Sequence, residues 1–168
     1  MQTIAQNFGI ANYLVPVTRA NDSSITGPSS QAAWISLKGY SKVTFIMQCG
    51  AMTEASGIVK VYQAKSVSGT SFSSSALPMT HYWTNKASAS TAILTRTTAT
   101  SSQMLTNATS NAMYAIEVDA KELDATNSFD CVALVFTGYS ASTLFGITAL
   151  LHDPRYASDP MQINVNAD

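Results

Sequence analysis

The sequence predicts an all-β fold, an antiparallel β-sandwich or jelly roll of about eight strands. Three observations lead there. Short runs rich in β-branched and aromatic residues recur along the chain, and clusters of Ser, Gly, Asn and Pro separate them. No long window holds a 3.6-residue apolar period, apart from one helical turn at Ala120–Leu123.

The first strand, Tyr13–Thr18, alternates after a polar arm, residues 1–12. Pro16 lies inside it and removes a ladder donor, which places this strand at a sheet edge or at a bulge. Ala32–Leu37 follows a Gly27-Pro28 turn, and Trp34 sits there among residues apolar on both faces, so it reads as core. Lys42–Cys49 follows the turn residues Lys38-Gly39-Tyr40. Ile58–Ala64 alternates after Gly57, and His81–Thr84 is short and aromatic. Met113–Asp119, Cys131–Thr137 and Phe145–Leu151 complete the set. Residues 66–76 and 86–111 read as long Ser/Thr-rich loops, although the Thr-rich part of the second has the composition of an irregular strand. The chain is one domain with an extended tail, residues 154–168, in which Ile163-Asn164-Val165-Asn166 alternates and suits strand addition to a neighbour's sheet edge.

Polar positions are filled in an unusual way. Only 11% of the 168 residues are charged while 46% are hydrophobic, so Ser, Thr, Asn and Gln carry most of the polarity. Small hydroxyls and amides are cheaper to desolvate than Lys and Glu, and such a surface packs closely against another protein. A net charge of −1 argues against nucleic acid as a partner. The charge is uneven: residues 1–100 hold seven cations and two carboxylates, and residues 101–168 hold two cations and eight carboxylates. Either unlike faces of neighbouring copies meet, or strands of the two halves interleave and the asymmetry vanishes in space.

Chemistry is sparse. His81 and His152 have no Cys, His or Glu at metal-ligand spacing, and His152 beside Asp153 reads as a structural pair. Gly138-Tyr-Ser-Ala-Ser142 lacks the second glycine of a nucleophile elbow. The acidic stretch 117–130 holds Asp119, Glu122, Asp124 and Asp130 without the glycine and spacing of a calcium loop, so it reads as an inter-strand turn. Cys49 and Cys131 lie in apolar runs and are expected as reduced core thiols, with one disulfide as the alternative if their strands are neighbours. Asn21 and Asn107 begin glycosylation patterns, but no secretory leader is visible and the longest apolar run, Leu144–Leu151, is too short to span a bilayer. No catalytic residue, metal or cofactor is expected, and neither a membrane nor nucleic acid is an expected partner. The cluster His81-Tyr82-Trp83 is expected on the surface, as an interface in preference to core or a sugar-stacking platform.

Two regions of the chain carry a resemblance. Trp34-Ile-Ser-Leu-Lys-Gly-Tyr-Ser-Lys-Val-Thr-Phe45 runs from one strand through a short turn into another. Met113–Asp124, Phe129–Phe136 and Leu151-His-Asp-Pro-Arg-Tyr-Ala-Ser-Asp-Pro160 give a strand ending in Val-Asp, a turn, an apolar strand and a Pro-bounded tail. Over roughly residues 30–65 and 110–160 the chain resembles small virion proteins of tailed bacteriophages. The resemblance implies a head-associated cement or decoration protein on the capsid exterior, made in the host cytoplasm. Its implied partners are the major capsid protein and further copies of itself, as dimer or trimer. It carries over no catalytic residue. The contact elements it implies are the N-terminal arm and the tail, with Arg155, Tyr156, Asp159 and Pro160. Arg155 either clamps a neighbour's carboxylate or pairs with Asp153 or Asp159 of its own chain. A neck, tail or fibre component is the alternative within the virion, and a carbohydrate-binding sandwich using Tyr82 and Trp83 is the alternative outside it.

Overall fold

Alternation along one long strand organises the molecule. In Tyr40–Met52 (β3), Val43, Phe45, Met47 and Cys49 are buried while Lys42, Thr44, Ile46 and Gln48 face outward. A strand turns successive side chains to opposite faces, so this pattern commits one face of its sheet to a core. The computed structural model describes residues 8–19, 33–52, 57–69, 71–85, 93–101, 104–106, 111–137 and 143–155.

The other strands are Gly9–Arg19 (β1), Ile35–Ser36 (β2), Gly57–Ala64 (β4), His81–Thr84 (β5), Thr95–Thr98 (β6), Met104–Thr106 (β7), Met113–Asp119 (β8), Cys131–Thr137 (β9) and Thr143–Pro154 (β10). They form a six-stranded antiparallel sheet in the order β1-β10-β3-β8-β5-β6 and a four-stranded one in the order β2-β9-β4-β7. The all-β sandwich expected from the sequence is therefore the fold. All eight expected strands are present. β6 and β7 lie within the stretch read as a loop, where threonine's branched side chain suits an exposed edge strand better than a coil.

The two inner faces meet in one core. Phe45, Met47, Ile116, Ile147 and Leu151 come from the larger sheet, and Val59, Val61, Val132, Leu134 and Phe136 from the smaller. Residues Cys131–Phe136 of β9 are buried without interruption, because both of its faces are covered. Its outer side carries a second, smaller cluster of Trp34, Ala64, Cys131 and Ala133, with Tyr62 and Val67 packed on it. Trp34 is core, as expected, but in this satellite cluster. The Ser-rich segment 66–76 helps build it. Phe72 stacks on Trp34 at 6.4 Å, and the chain is tied along β4 by Ser73 N–H to Gln63 O (2.8 Å) and Leu77 N–H to Val61 O (2.8 Å). Read from the sequence as a long loop, this segment is anchored to its own sheet, where it covers Trp34 and Ala64.

Pro16 stands where its chemistry demands. β1 is a terminal strand of the larger sheet, and its pairing with β10 slips at two bulges between Asn12 and Val17. The proline ring lies over Gly146, where an added Cβ would fall 3.0 Å from Pro16 Cγ. From the same strand Tyr13 reaches across the sandwich, and its hydroxyl accepts the Leu134 N–H at 2.8 Å, on the side of β9 where the two-residue β2 has ended. Tyr13→Phe leaves that buried N–H without its acceptor. The expected cost is about 1–3 kcal/mol in denaturant unfolding, with the sheet content by circular dichroism unchanged.

Candidate functional site

Four acidic side chains of the 117–130 stretch, Glu117, Asp119, Asp124 and Asp130, have local partners. Asp119 accepts the Lys121 N–H at 3.0 Å and pairs with its ammonium at 2.9 Å, starting the 3-10 turn Ala120–Glu122. Asp124 caps the second 3-10 turn, Ala125–Asn127, holding Asn127 N–H at 3.1 Å and its side-chain amide at 2.6 Å. These partners hold both carboxyls below the usual range, through Lys121 for Asp119 and through Asn127 for Asp124. Asp130 pairs with Lys38 at 3.1 Å and accepts from the Cys131 thiol at 2.9 Å. Among the described residues no three His, Cys, Asp or Glu side chains stand close enough to hold a metal ion.

Lys38–Asp130 and Lys42–Glu117 each join a cation of the first half of the chain to a carboxylate of the second. The charge asymmetry thus cancels at least partly by interleaving. Cys49 and Cys131 are both free and buried, and burial pushes each thiol up to about 12, which makes them inert packing groups.

One arrangement has the residue types of a nucleophile, base and acid. Thr44 Oγ1 lies 2.9 Å from His152 Nε2, and His152 Nδ1 lies 3.8 Å from Asp153 Oδ2. The last distance is too long for the hydrogen bond that would orient the ring. Thr44 sits mid-strand on an open sheet face, so the set lacks the enclosing pocket and oxyanion donors that acyl transfer uses. It acts as a polar tie between β3 and β10.

The His81–Trp83 cluster divides between two faces. Tyr82 is buried in the core, 3% exposed, which corrects its expected place in a surface cluster. Strand alternation forces this, since Tyr82 points inward when its neighbours point outward. His81 and Trp83 meet edge to face at 4.8 Å on the outer side. Arg96 Nη2 (3.1 Å) and Thr80 Oγ1 (2.8 Å) both approach His81 Nδ1. A guanidinium only donates, so Nδ1 is the acceptor in its contact with Arg96. Arg155 is exposed, and its main-chain N–H is fixed to Gly39 O at 2.9 Å. Tyr156, Asp159 and Pro160, the first seven residues of the N-terminal arm, and the two glycosylation patterns lie outside the described residues.

What the sequence reading missed is the outer face of the six-stranded sheet. Register places Asn12, Thr148, Ile46, Ala115, Trp83 and Arg96 in one row across all six strands. The adjacent row runs Ile10, Leu150, Thr44, Glu117. Charge enters these two rows only at Glu117, which is paired with Lys42, and at Arg96 on the last strand. On the β1 side the face becomes openly apolar, with Ile10 52%, Val15 59% and Leu144 40% exposed. The available signal was apolar residues at both parities of central strands, as in Phe45-Ile46-Met47 and Ala149-Leu150-Leu151.

No family model matches the chain, and no curated protein matches it. Among solved structures it is similar to the SPBc2 prophage-derived protein YomS, at 7% identity and a TM-score of 0.40, over 88% of this chain and 94% of that one. Likeness at that level is one of general outline. No helix among the described residues is long and apolar enough to cross a membrane.

The lowered carboxyls set the acid limit of the turn region. A depressed folded-state pKa stabilises above the ordinary carboxyl range, and that stability is lost as pH falls through the folded value. Side-chain carboxyl titration by NMR is expected to show Asp119 and Asp124 ionising below the usual aspartate range. Asp119→Asn combined with Asp124→Asn is expected to flatten the fall in stability below about pH 4.

Proposed function

We propose that this chain is a non-enzymatic structural protein of a tailed-bacteriophage virion that decorates and cements the head shell. The observation that carries the proposal is the broad, nearly uncharged outer face of the six-stranded sheet. Five inter-strand spacings of ~4.8 Å and ~20 Å of strand length give roughly 500 Å², the same order as the ~800 Å² each partner contributes to a stable interface. Thr148, Ile46 and Ala115 at its middle need no desolvation of full charges when another surface covers them. The tail and strand motifs that resemble phage virion proteins point to the shell, with the major capsid protein and other copies of this chain as partners. Repetition on an ordered shell then multiplies modest single contacts, because each added contact is effectively intramolecular.

A carbohydrate-binding role is less favoured. With Tyr82 in the core, Trp83 is left beside His81 as a single partly buried ring, which makes a poor stacking platform.

Particles purified with and without the protein test this. The protein is expected to co-purify with heads at high copy number, and heads lacking it are expected to break at lower temperature. Thr148→Lys puts a charge at the centre of the face, on an exposed side chain. It is expected to leave the unfolding midpoint unchanged and to weaken head binding by about tenfold or more. A protein that binds no particle would rule the proposal out, and a few copies at the neck or tail would move it to the other end of the virion.

A further inference from the structure

The large apolar side chains exposed among the described residues are not scattered. Of the six, Phe8, Ile10, Val15 and Leu144 lie on β1, beside it or on β10, and only Phe72 and Ile93 lie elsewhere. Single exposed apolar residues need no explanation, whereas a contiguous patch marks a contact. Register makes this patch contiguous. Ile10 stands opposite Leu150, and Phe8 meets the His152 ring at 6.3 Å on the same outer face. Ile46 on β3 extends it beside Thr148.

Two glycines shape the patch. Pro16 lies over Gly146, and Leu144 lies over Gly50, where an added Cβ would fall 3.0 Å from Leu144 Cδ2. Each therefore rests in space that a side chain on the neighbouring strand would fill, and the surface is low and level there. Between the rows of Leu144 and Leu150, no described outward side chain of β1, β10 or β3 is charged. Asn12, Thr148, Thr44 and Gln48 supply the polarity, all of it neutral. Lys42, in the row of His152, is paired with Glu117.

A two-fold interface sets a surface against itself. A charged or knobbed patch then repels or collides with its own copy, and a level, uncharged one does neither. We propose that the β1–β10–β3 half of the outer sheet face is the contact between two copies of the chain, packed sheet on sheet about a two-fold axis along β10. That axis keeps Arg96, on β6 at the far side of the sheet, away from its own copy. It also leaves the β8–β5–β6 half of each sheet uncovered. At ~4.8 Å per strand and ~3.3 Å per residue, three strands over the length Leu144–His152 give a footprint of roughly 400 Å² per copy. Two such footprints belong to the class of weak, reversible association and not to obligate dimers. The inference rests on the assembly reading for its purpose, naming how copies join, and it is tested apart from head binding.

The test uses the full chain in sedimentation at concentrations up to about 100 µM, since contacts of this class dissociate in the micromolar range. The wild type is expected to form a dimer. The double variant Ile10→Arg, Val15→Arg, at two exposed positions, is expected to dimerise about tenfold more weakly or worse, with sheet content by circular dichroism unchanged. Thr98→Lys, exposed on β6, is expected to dimerise as the wild type does. Crosslinking locates the contact. A bismaleimide of about 10 Å span is expected to join copies of Thr148→Cys and not copies of Thr98→Cys, because sheets pack ~10 Å apart and β6 lies four strands from the axis. Cys49 and Cys131 are buried and do not compete for the reagent. A monomeric wild type would overturn the proposal, including one whose own terminal segments cover the patch. So would a dimer that the double variant leaves intact, or one that crosslinks through Thr98→Cys as readily as through Thr148→Cys. A dimer that binds no heads counts against the cementing role alone, and a monomer that binds them counts against this contact alone.

Discussion

Everything in this molecule depends on two sheets having to bury one face each against the other. Val43, Phe45 and Met47 on β3 and Val59, Val61 and Leu134 on the smaller sheet form the contact, and most are almost wholly removed from water. Each such side chain gains roughly 1.5–3 kcal/mol on burial, so a slip of one residue in β3 would expel the whole row. With the inner parity taken by the core, every other residue is left to face outward. The outer surface is thus a direct reading of the alternate residues, and here those residues are Thr, Ile, Ala and Gln.

That constraint explains what could be read before the fold was known. Strands with clean alternation, such as Ile58–Ala64, and strands apolar throughout, such as Cys131–Phe136, declare themselves by pattern. Pro16 declares an edge because a proline cannot serve the middle of a ladder. Three things were illegible. Tyr82 is aromatic and polar at once, so its composition suits core and surface equally, and only the register with Thr97 decides. The Ser-rich segment 66–76 carries its purpose in Val67 and Phe72, two apolar residues among hydroxyls, and the Trp34 they cover lies more than thirty residues earlier in the chain. The outer sheet face was also hidden, because a face exists only after register has joined β1 to β6.

Charge placement follows the same logic. Lys38, Lys42 and Lys121 each sit beside a carboxylate around the turns at one end of the larger sheet. Exposed pairs of this kind are worth about 0–1 kcal/mol, so they add little to stability. Their use lies in where they are. By gathering and neutralising charge near the turns, they leave the middle of the sheet face without ions that a covering surface would have to desolvate.

The two edges of the larger sheet are managed in different ways, and this bears on how copies could be arranged. β1 is blunted by Pro16 and two bulges, which discourage edge-to-edge pairing. At the other edge β6 is only four residues long, and behind it β5 parts from β8 after two paired residues and opens a cleft. Neither edge offers a long flat ladder to another chain. Under the assembly proposed above, contact between molecules therefore falls to the sheet face, where a covering surface meets few charges that it would have to desolvate.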